Sequence, residues 1–163
     1  MTVHKEEGVN RALNRALYYL GIKDRSKGEV FAYLRGKGYS EEEIREAIGQ
    51  LEKAGHLDDE HLAVSMIARA GLKGIGRSRL MAEMLSRGIE RNIVEDTLNR
   101  YYTEDEFLLA LPLVVKQWEK LDCGDEERVK KLAAWMRRRG YSSSTIVKTL
   151  RWLGEASVMD GSP

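Results

Sequence analysis

Three stretches decide the fold: Tyr-Leu-Arg-Gly-Lys-Gly-Tyr-Ser (33–40), Met-Leu-Ser-Arg-Gly-Ile (84–89) and Trp-Met-Arg-Arg-Arg-Gly-Tyr-Ser (135–142). With Gly38, Gly88 and Gly140 in register, the positions four residues earlier hold Leu34, Met84 and Met136, and those eight earlier hold Val30, Leu80 and Leu132. Six residues after the glycine come Ile44, Val94 and Ile146; ten after, Ile48, Leu98 and Leu150; thirteen after, Leu51, Tyr101 and Leu153. All fifteen positions are apolar. Self-similarity at a period near fifty residues is the mark of a repeat architecture.

The spacing defines the unit. Offsets −8 and −4 trace the apolar face of one helix, and +6, +10 and +13 that of the next. The glycine between them stands where a helix ends in a left-handed residue, a conformation that costs little without a Cβ. Tyr39, Ile89 and Tyr141 are placed to pack across the corner. Ser40 and Ser142 suit N-caps, with Glu43 completing a capping box, whereas Glu90 takes the cap position in the second copy. A leading helix precedes each pair. It runs through Ala12–Leu20 in the first copy, follows the acidic Asp58-Asp59-Glu60 start in the second, and spans Phe107–Trp118 in the third, where Pro112 implies a kink or a late start. The expected fold is all-α: three tandem three-helix repeats in an elongated, curved array, divided 1–56, 57–103 and 104–155, with short linkers near 55–58 and 102–105 and a frayed tail, 156–163.

Composition fits this fold. Of 163 residues, 42% are hydrophobic, 33% are charged and two are proline. A single cysteine, Cys123, excludes an internal disulfide and fits a reducing compartment; it lies in Asp-Cys-Gly-Asp, where carboxylates oppose thiolate formation. The opening MTVHKEEGVN has no signal-peptide core and no run of eighteen apolar residues occurs, so no membrane partner is expected and the expected setting is the cytoplasm.

Catalytic and metal chemistry find no footing. His56 and His61 flank Asp58-Asp59-Glu60, but their five-residue separation suits no single helix face, and the acids serve a helix start. Gly74-Ile75-Gly76 lacks the strand and the Lys-Ser/Thr pair of a phosphate loop. Trp118, Trp135 and Trp152 sit at core spacing on amphipathic helices. No cofactor is expected, and the chain reads as a non-enzyme.

Charge is the remaining signal. Net charge is +1, yet residues 40–60 carry eight acids against two bases, and 127–151 carry eight bases against one acid. Such segregation is either a set of ordinary solvated helix faces or a face for an anionic partner. The candidate binding residues are Lys73, Arg77, Arg79, Arg87, Arg91, Arg137, Arg138, Arg139, Lys148 and Arg151. Bases near a helix C-terminus, such as Arg87 and Arg137–Arg139, complement the helix dipole. Arg77 and Arg79 stand at a helix N-terminus, where positive charge is unfavourable, and an arginine-flanked N-terminus is suited to receive an anion.

The second copy carries a more specific pattern: Gly-His-Leu-Asp-Asp-Glu-His-Leu-Ala (55–63), Gly-Ile-Gly-Arg-Ser-Arg-Leu (74–80) and Glu-Met-Leu-Ser-Arg-Gly-Ile (83–89). Together with the corners of the first and third copies, it resembles the RecX family of bacterial regulators over residues 9–154. Arg77 stands where that family has proline, Leu62 where it has phenylalanine, and Ile75 where a base is common. The resemblance implies a monomeric, cytoplasmic, non-enzymatic protein that binds RecA recombinase filaments along their groove. It further implies restraint of filament extension, ATP hydrolysis, strand exchange and repressor-cleavage stimulation, and hence a place in DNA recombination, repair and the SOS response. Two other readings stay open: a direct binder of single- or double-stranded DNA, since a helix–glycine corner–helix resembles a helix-turn-helix, and a helical scaffold with another partner. Against direct DNA binding stands Glu41-Glu42-Glu43, which opens the first post-corner helix and would repel phosphate.

Overall fold

The computed structural model describes the backbone of residues 2–102 and 105–160 and the side chains of 6–102 and 105–155. Among the described residues there are nine helices and no strand: α1 (Thr2–Leu20), α2 (Lys27–Gly36), α3 (Glu41–Lys53), α4 (Asp59–Lys73), α5 (Arg77–Ser86), α6 (Arg91–Tyr101), α7 (Glu106–Glu119), α8 (Asp125–Arg138) and α9 (Ser143–Asp160). They fall into three successive triplets, each a leading helix followed by a glycine-cornered pair, so the fold is built of all-α repeats. By contacts the chain groups into two compact units, one holding residues up to Ser65 with Met84–Thr97, the other Met66–Glu83 with Leu98 onward. The second triplet is thus shared between the two units. Of the tail expected to fray, 156–160 continue α9, while 161–163 lie outside the described residues, as do 103 and 104 in the second linker.

The corners are built as the spacing requires. Gly38, Gly88 and Gly140 have φ of 86°, 78° and 81°. In each corner the amide after the glycine donates back to the residue four before it: Tyr39 N to Leu34 O (3.4 Å), Ile89 N to Met84 O (3.3 Å) and Tyr141 N to Met136 O (3.2 Å). This is the Schellman closure of a helix end. Leu34, Met84 and Met136 are also fully buried, so the residue that accepts the closing bond anchors the core as well.

In the first unit Ala12, Ala16, Val30, Leu34, Ile44, Ala47, Leu51 and Leu57 form one apolar cluster, with α1 and α2 packed on α3. In the second, Ala110, Val114, Leu132, Ala133, Met136, Tyr141, Ile146 and Leu153 do the same, with α7 and α8 packed on α9. Trp118, Trp135 and Trp152 pack against that cluster. Each buried Leu, Ile or Met contributes roughly 1.5–3 kcal/mol by leaving water. Of the fifteen repeat positions Tyr101 departs, at 45% exposed. The helix ends there, and Tyr102 turns inward instead, its hydroxyl donating to Ile75 O at 3.4 Å.

Pro112 lies inside α7, neither delaying the helix start nor ending the helix. It forfeits the bond to the carbonyl of Leu108. Both residues are exposed, so water can take the freed carbonyl. Ser40 and Glu43 form the expected capping box, and Ser142 caps α9 through the Thr145 amide at 3.2 Å. A second box, Ser26 with Glu29, opens α2. Its Ser-x-x-Glu spacing stood in the sequence beside a region with no expected helix start. Gly74-Ile75-Gly76 follows the C-terminus of α4, with Ile75 N bonded to Ala70 O at 3.0 Å. Among the described residues no helix is long and apolar enough to cross a membrane, and no group of three His, Cys, Asp or Glu could hold a metal ion.

The corner glycines differ in their surroundings, which yields a graded prediction. A Cβ on Gly38 meets open space, whereas one on Gly140 would lie 2.4 Å from the backbone nitrogen of Arg79. Gly38→Ala should therefore cost only the left-handed backbone, about 1–2 kcal/mol. Gly140→Ala should cost at least about 2 kcal/mol more, because backbone must shift. Urea unfolding of the two variants checks the order.

Candidate partner-binding face

The arginines proposed from sequence divide into those that hold the fold and those that face solvent. The division starts from an N-terminal requirement: the first amides of a helix have no acceptor within it. At α2, Lys27 N donates to Asp59 Oδ1 at 2.9 Å, and at α5, Arg77 N donates to Glu106 Oε1 at 2.9 Å. Asp59 and Glu106 are each the first residue of the following leading helix, α4 and α7. The anion received at the N-terminus of α5 is therefore an internal carboxylate.

The same helix starts dock onto the next corner. Ser26 Oγ donates to the carbonyl of Arg87, while Gly76 N donates to Arg139 O at 2.8 Å and Ser78 N to Gly140 O at 3.2 Å. The approach is backbone to backbone. A Cβ on Gly28 would lie 2.7 Å from Gly88 Cα, and one on Gly76 would lie 2.4 Å from the Gly140 carbonyl carbon. The arginine before each corner glycine then reaches across. Arg87 Nη2 donates to Asp24 O at 2.8 Å and pairs with Glu29 at 2.7 Å; Arg139 Nη1 donates to Lys73 O at 2.6 Å and Gly74 O at 3.1 Å and stacks 4.4 Å over Trp135. Asp24 and Gly74 occupy matching places in their repeats. The corresponding position in the first repeat is Lys37.

Arg77 is likewise internal. Its guanidinium bonds Leu98 O at 2.9 Å and Asn99 Oδ1 at 2.7 Å and lies 6.0 Å over the Tyr102 ring. Arg79 reaches Arg138 O at 3.2 Å. Their positive charge, unfavourable beside their own helix N-terminus, instead meets the carbonyl-rich ends of α6 and α8. Sequence could not show this, because the compensating dipoles belong to other helices.

Four of the eight bases in 127–151 are paired with carboxylates. Arg128 meets Asp125 and stacks on Trp118, Lys130 meets Glu126, Lys131 meets Glu127, and Lys148 meets Asp105 at 2.5 Å. Asp125 and Glu126 lie just outside the window that makes the stretch look so positive, and Asp105 comes from the start of α7. Arg91 pairs with Glu95 at 3.4 Å on the surface. Among the described residues, Lys73, Arg79, Arg137, Arg138 and Arg151 are exposed and form no ion pair. The Arg139–Lys73 and Arg79–Arg138 contacts bring Lys73, Arg79 and Arg138 to the place where the α4–α5 turn meets the end of α8, and Arg137 is the next residue on that helix end. Among the described residues these four cations form no ion pair, which suits them to an anionic surface.

The carboxylates beneath are tuned in opposite directions. Burial alone would push Glu106 up, but the amides of Arg77 and Ser142 and the Thr145 hydroxyl hold it below its ordinary value. Glu29, similarly opposed by burial, is held down chiefly by Arg87. Asp59 is raised, with burial outweighing the Lys27 amide and charge. His56 and His61 line an open cleft of about 450 Å³ with Leu17, Arg25 and Asp58, and Asp58 caps α4 through the His61 amide.

Comparison with known proteins places this arrangement. The family pattern described as RecX, first three-helix domain, matches residues 12–51. The regulatory protein RecX of Prosthecochloris aestuarii is 33% identical over 146 residues, covering 89% of this chain and 95% of the relative. This chain belongs to the RecX family. The RecX protein of Pelodictyon phaeoclathratiforme is 30% identical over 154 residues, covering 93% and 94% of the two chains. The crystal structure of RecX from Lactobacillus salivarius superposes with a TM-score of 0.81 over 91% of this chain and 98% of that one; at 22% identity it speaks for the fold alone. RecX relatives are named regulatory proteins, and a regulatory role is what the family assigns.

The division of the arginines is testable by stability. Arg87→Ala should cost about 2 kcal/mol, the scale of lost charge-assisted bonds at a half-buried site. Arg137→Ala and Arg138→Ala should each stay within about 0.5 kcal/mol of wild type. Thermal and urea unfolding distinguish the two classes.

Proposed function

We propose that this RecX protein binds RecA recombinase filaments along their helical groove and restrains ATP hydrolysis, strand exchange and co-protease activity, acting as a monomer without chemistry of its own. The observation that carries the reading furthest is the unpaired cluster of Lys73, Arg79, Arg137 and Arg138, in a chain whose relatives are regulatory RecX proteins along nearly their whole length. A filament presents the same surface again and again, so contacts from successive repeats add by avidity, and no single contact need be strong. Arg77, Arg87 and Arg139 serve this reading indirectly, by holding the turn and corner on which the exposed bases stand. Arg91, Lys148 and Arg151 are secondary contacts in the same reading, the first two already sharing their charge with a carboxylate.

The test adds purified protein to RecA on single-stranded DNA and follows ATP hydrolysis and filament length. Inhibition is expected, and the combined Lys73→Ala, Arg79→Ala, Arg137→Ala, Arg138→Ala variant should keep its helicity and lose roughly tenfold or more in potency, four contacts of a few tenths of a kcal/mol each or better. No change in either readout at stoichiometric excess would sink the proposal. The second reading, direct binding to DNA, is favoured by the same cations. It predicts a tight gel shift on duplex without RecA, whereas weak binding that fades with salt leaves the filament as the target.

A further inference from the structure

The two junctions are built alike and satisfied unequally. At the second, Glu106 uses both oxygens: Oε1 takes the Arg77 amide, and Oε2 takes Ser142 N at 3.1 Å and Thr145 Oγ1 at 2.9 Å. At the first, Asp59 Oδ1 takes the Lys27 amide, but Oδ2 is buried without a hydrogen-bond partner in a residue only 2% exposed. The cause lies in the sequence. Counted from the corner glycine, Glu90 stands where Ser142 does, and Ile93 stands where Thr145 does. Glu90 brings like charge, and Ile93 lacks the hydroxyl through which Thr145 donates; Ser142 donates through its main-chain amide, which Glu90 also carries. The aspartate is also a methylene shorter than the glutamate.

The groups facing Asp59 add to the imbalance. Lys27 of α2 is drawn to Glu52 of α3 at 2.7 Å, and Glu52 and Glu90 both oppose the Asp59 charge. A buried carboxylate oxygen with no donor costs free energy whenever the group is ionised.

We infer that the Asp59 junction is a proton-tightened joint: the buried charge of ionised Asp59, with one oxygen undonated, loosens the start of α2, and a proton removes that cost, while the Glu106 junction is closed by its ionised carboxylate. The directions of titration agree. Asp59 holds its proton to higher pH than its ordinary 3.8, so its charge costs stability above that raised pKa, and the cost disappears as pH falls. Glu106 lies below its ordinary 4.5, so its contribution is present at neutral pH and is lost as pH falls through the lowered pKa. The two joints of one chain should thus answer acid in opposite senses.

Hydrogen exchange followed by mass spectrometry on the full chain, without RecA, tests this and is independent of the regulatory reading. Asp59→Asn keeps the acceptor for Lys27 and replaces the orphan oxygen with a donor toward Glu52 and Glu90. At neutral pH it should slow exchange over Lys27–Val30 about fivefold relative to wild type, the scale of one relieved buried group. The difference should shrink toward none as pH falls through the raised pKa of Asp59 and the wild-type group takes up its proton. Glu106→Gln should speed exchange over Arg77–Leu80 at neutral pH. Because Asn also changes packing, a second variant leaves Asp59 in place: Ile93→Thr supplies the hydroxyl that Thr145 gives the other junction, Glu90→Ser removes a like charge, and the pair should give the same slowing. Exchange over Lys27–Val30 that is unchanged or faster in either variant at neutral pH overturns the inference.

Discussion

The first amides of a helix need acceptors, and in this chain the middle helix of a repeat takes one from the helix that opens the next repeat. Asp59 does this for α2 and Glu106 for α5. The bond fixes where the next leading helix begins, and the glycine contact beside it fixes where the next corner lies. The arginine before the corner glycine, Arg87 or Arg139, then ties that corner to the preceding loop. Three small contacts thereby join repeats that could not each bury enough apolar surface alone.

This construction changes how the charges are read. Positive residues at a helix N-terminus suggest an outside anion, yet Arg77 is neutralised by carbonyls at the end of α6, and the amide it carries is already bonded to Glu106. Half of the basic stretch of the third repeat is matched by Asp125, Glu126, Glu127 and Asp105. What remains after pairing is smaller and better defined: Lys73, Arg79, Arg137 and Arg138 around the end of α8. A net charge summed over a window counts side chains without regard to which carboxylates their helices and neighbours bring within reach.

The same bond made twice shows how little sequence is needed to alter a joint. With Ile93 in place of Thr145 a hydroxyl donor is lost, with Glu90 in place of Ser142 a like charge is added, and the shorter Asp59 keeps the amide contact to Lys27 while its second oxygen has no donor. A repeat protein can in this way keep its architecture constant while giving successive junctions different stiffness.

By itself the sequence determined the helices, the glycine corners and the apolar positions that became the core, because these depend on 3.6-residue periodicity and on the handedness of a single residue, both local. It also carried enough of the second-repeat pattern to indicate the RecX family. Tyr101 escaped it, since the helix end that turns Tyr102 inward is set by packing against the loop at Ile75. Only the tertiary structure decided which arginines are struts and which are free, and that Asp59 and Glu106 are equivalent. Those facts rest on bonds between residues some thirty to sixty positions apart, whose partners no spacing rule along the chain identifies.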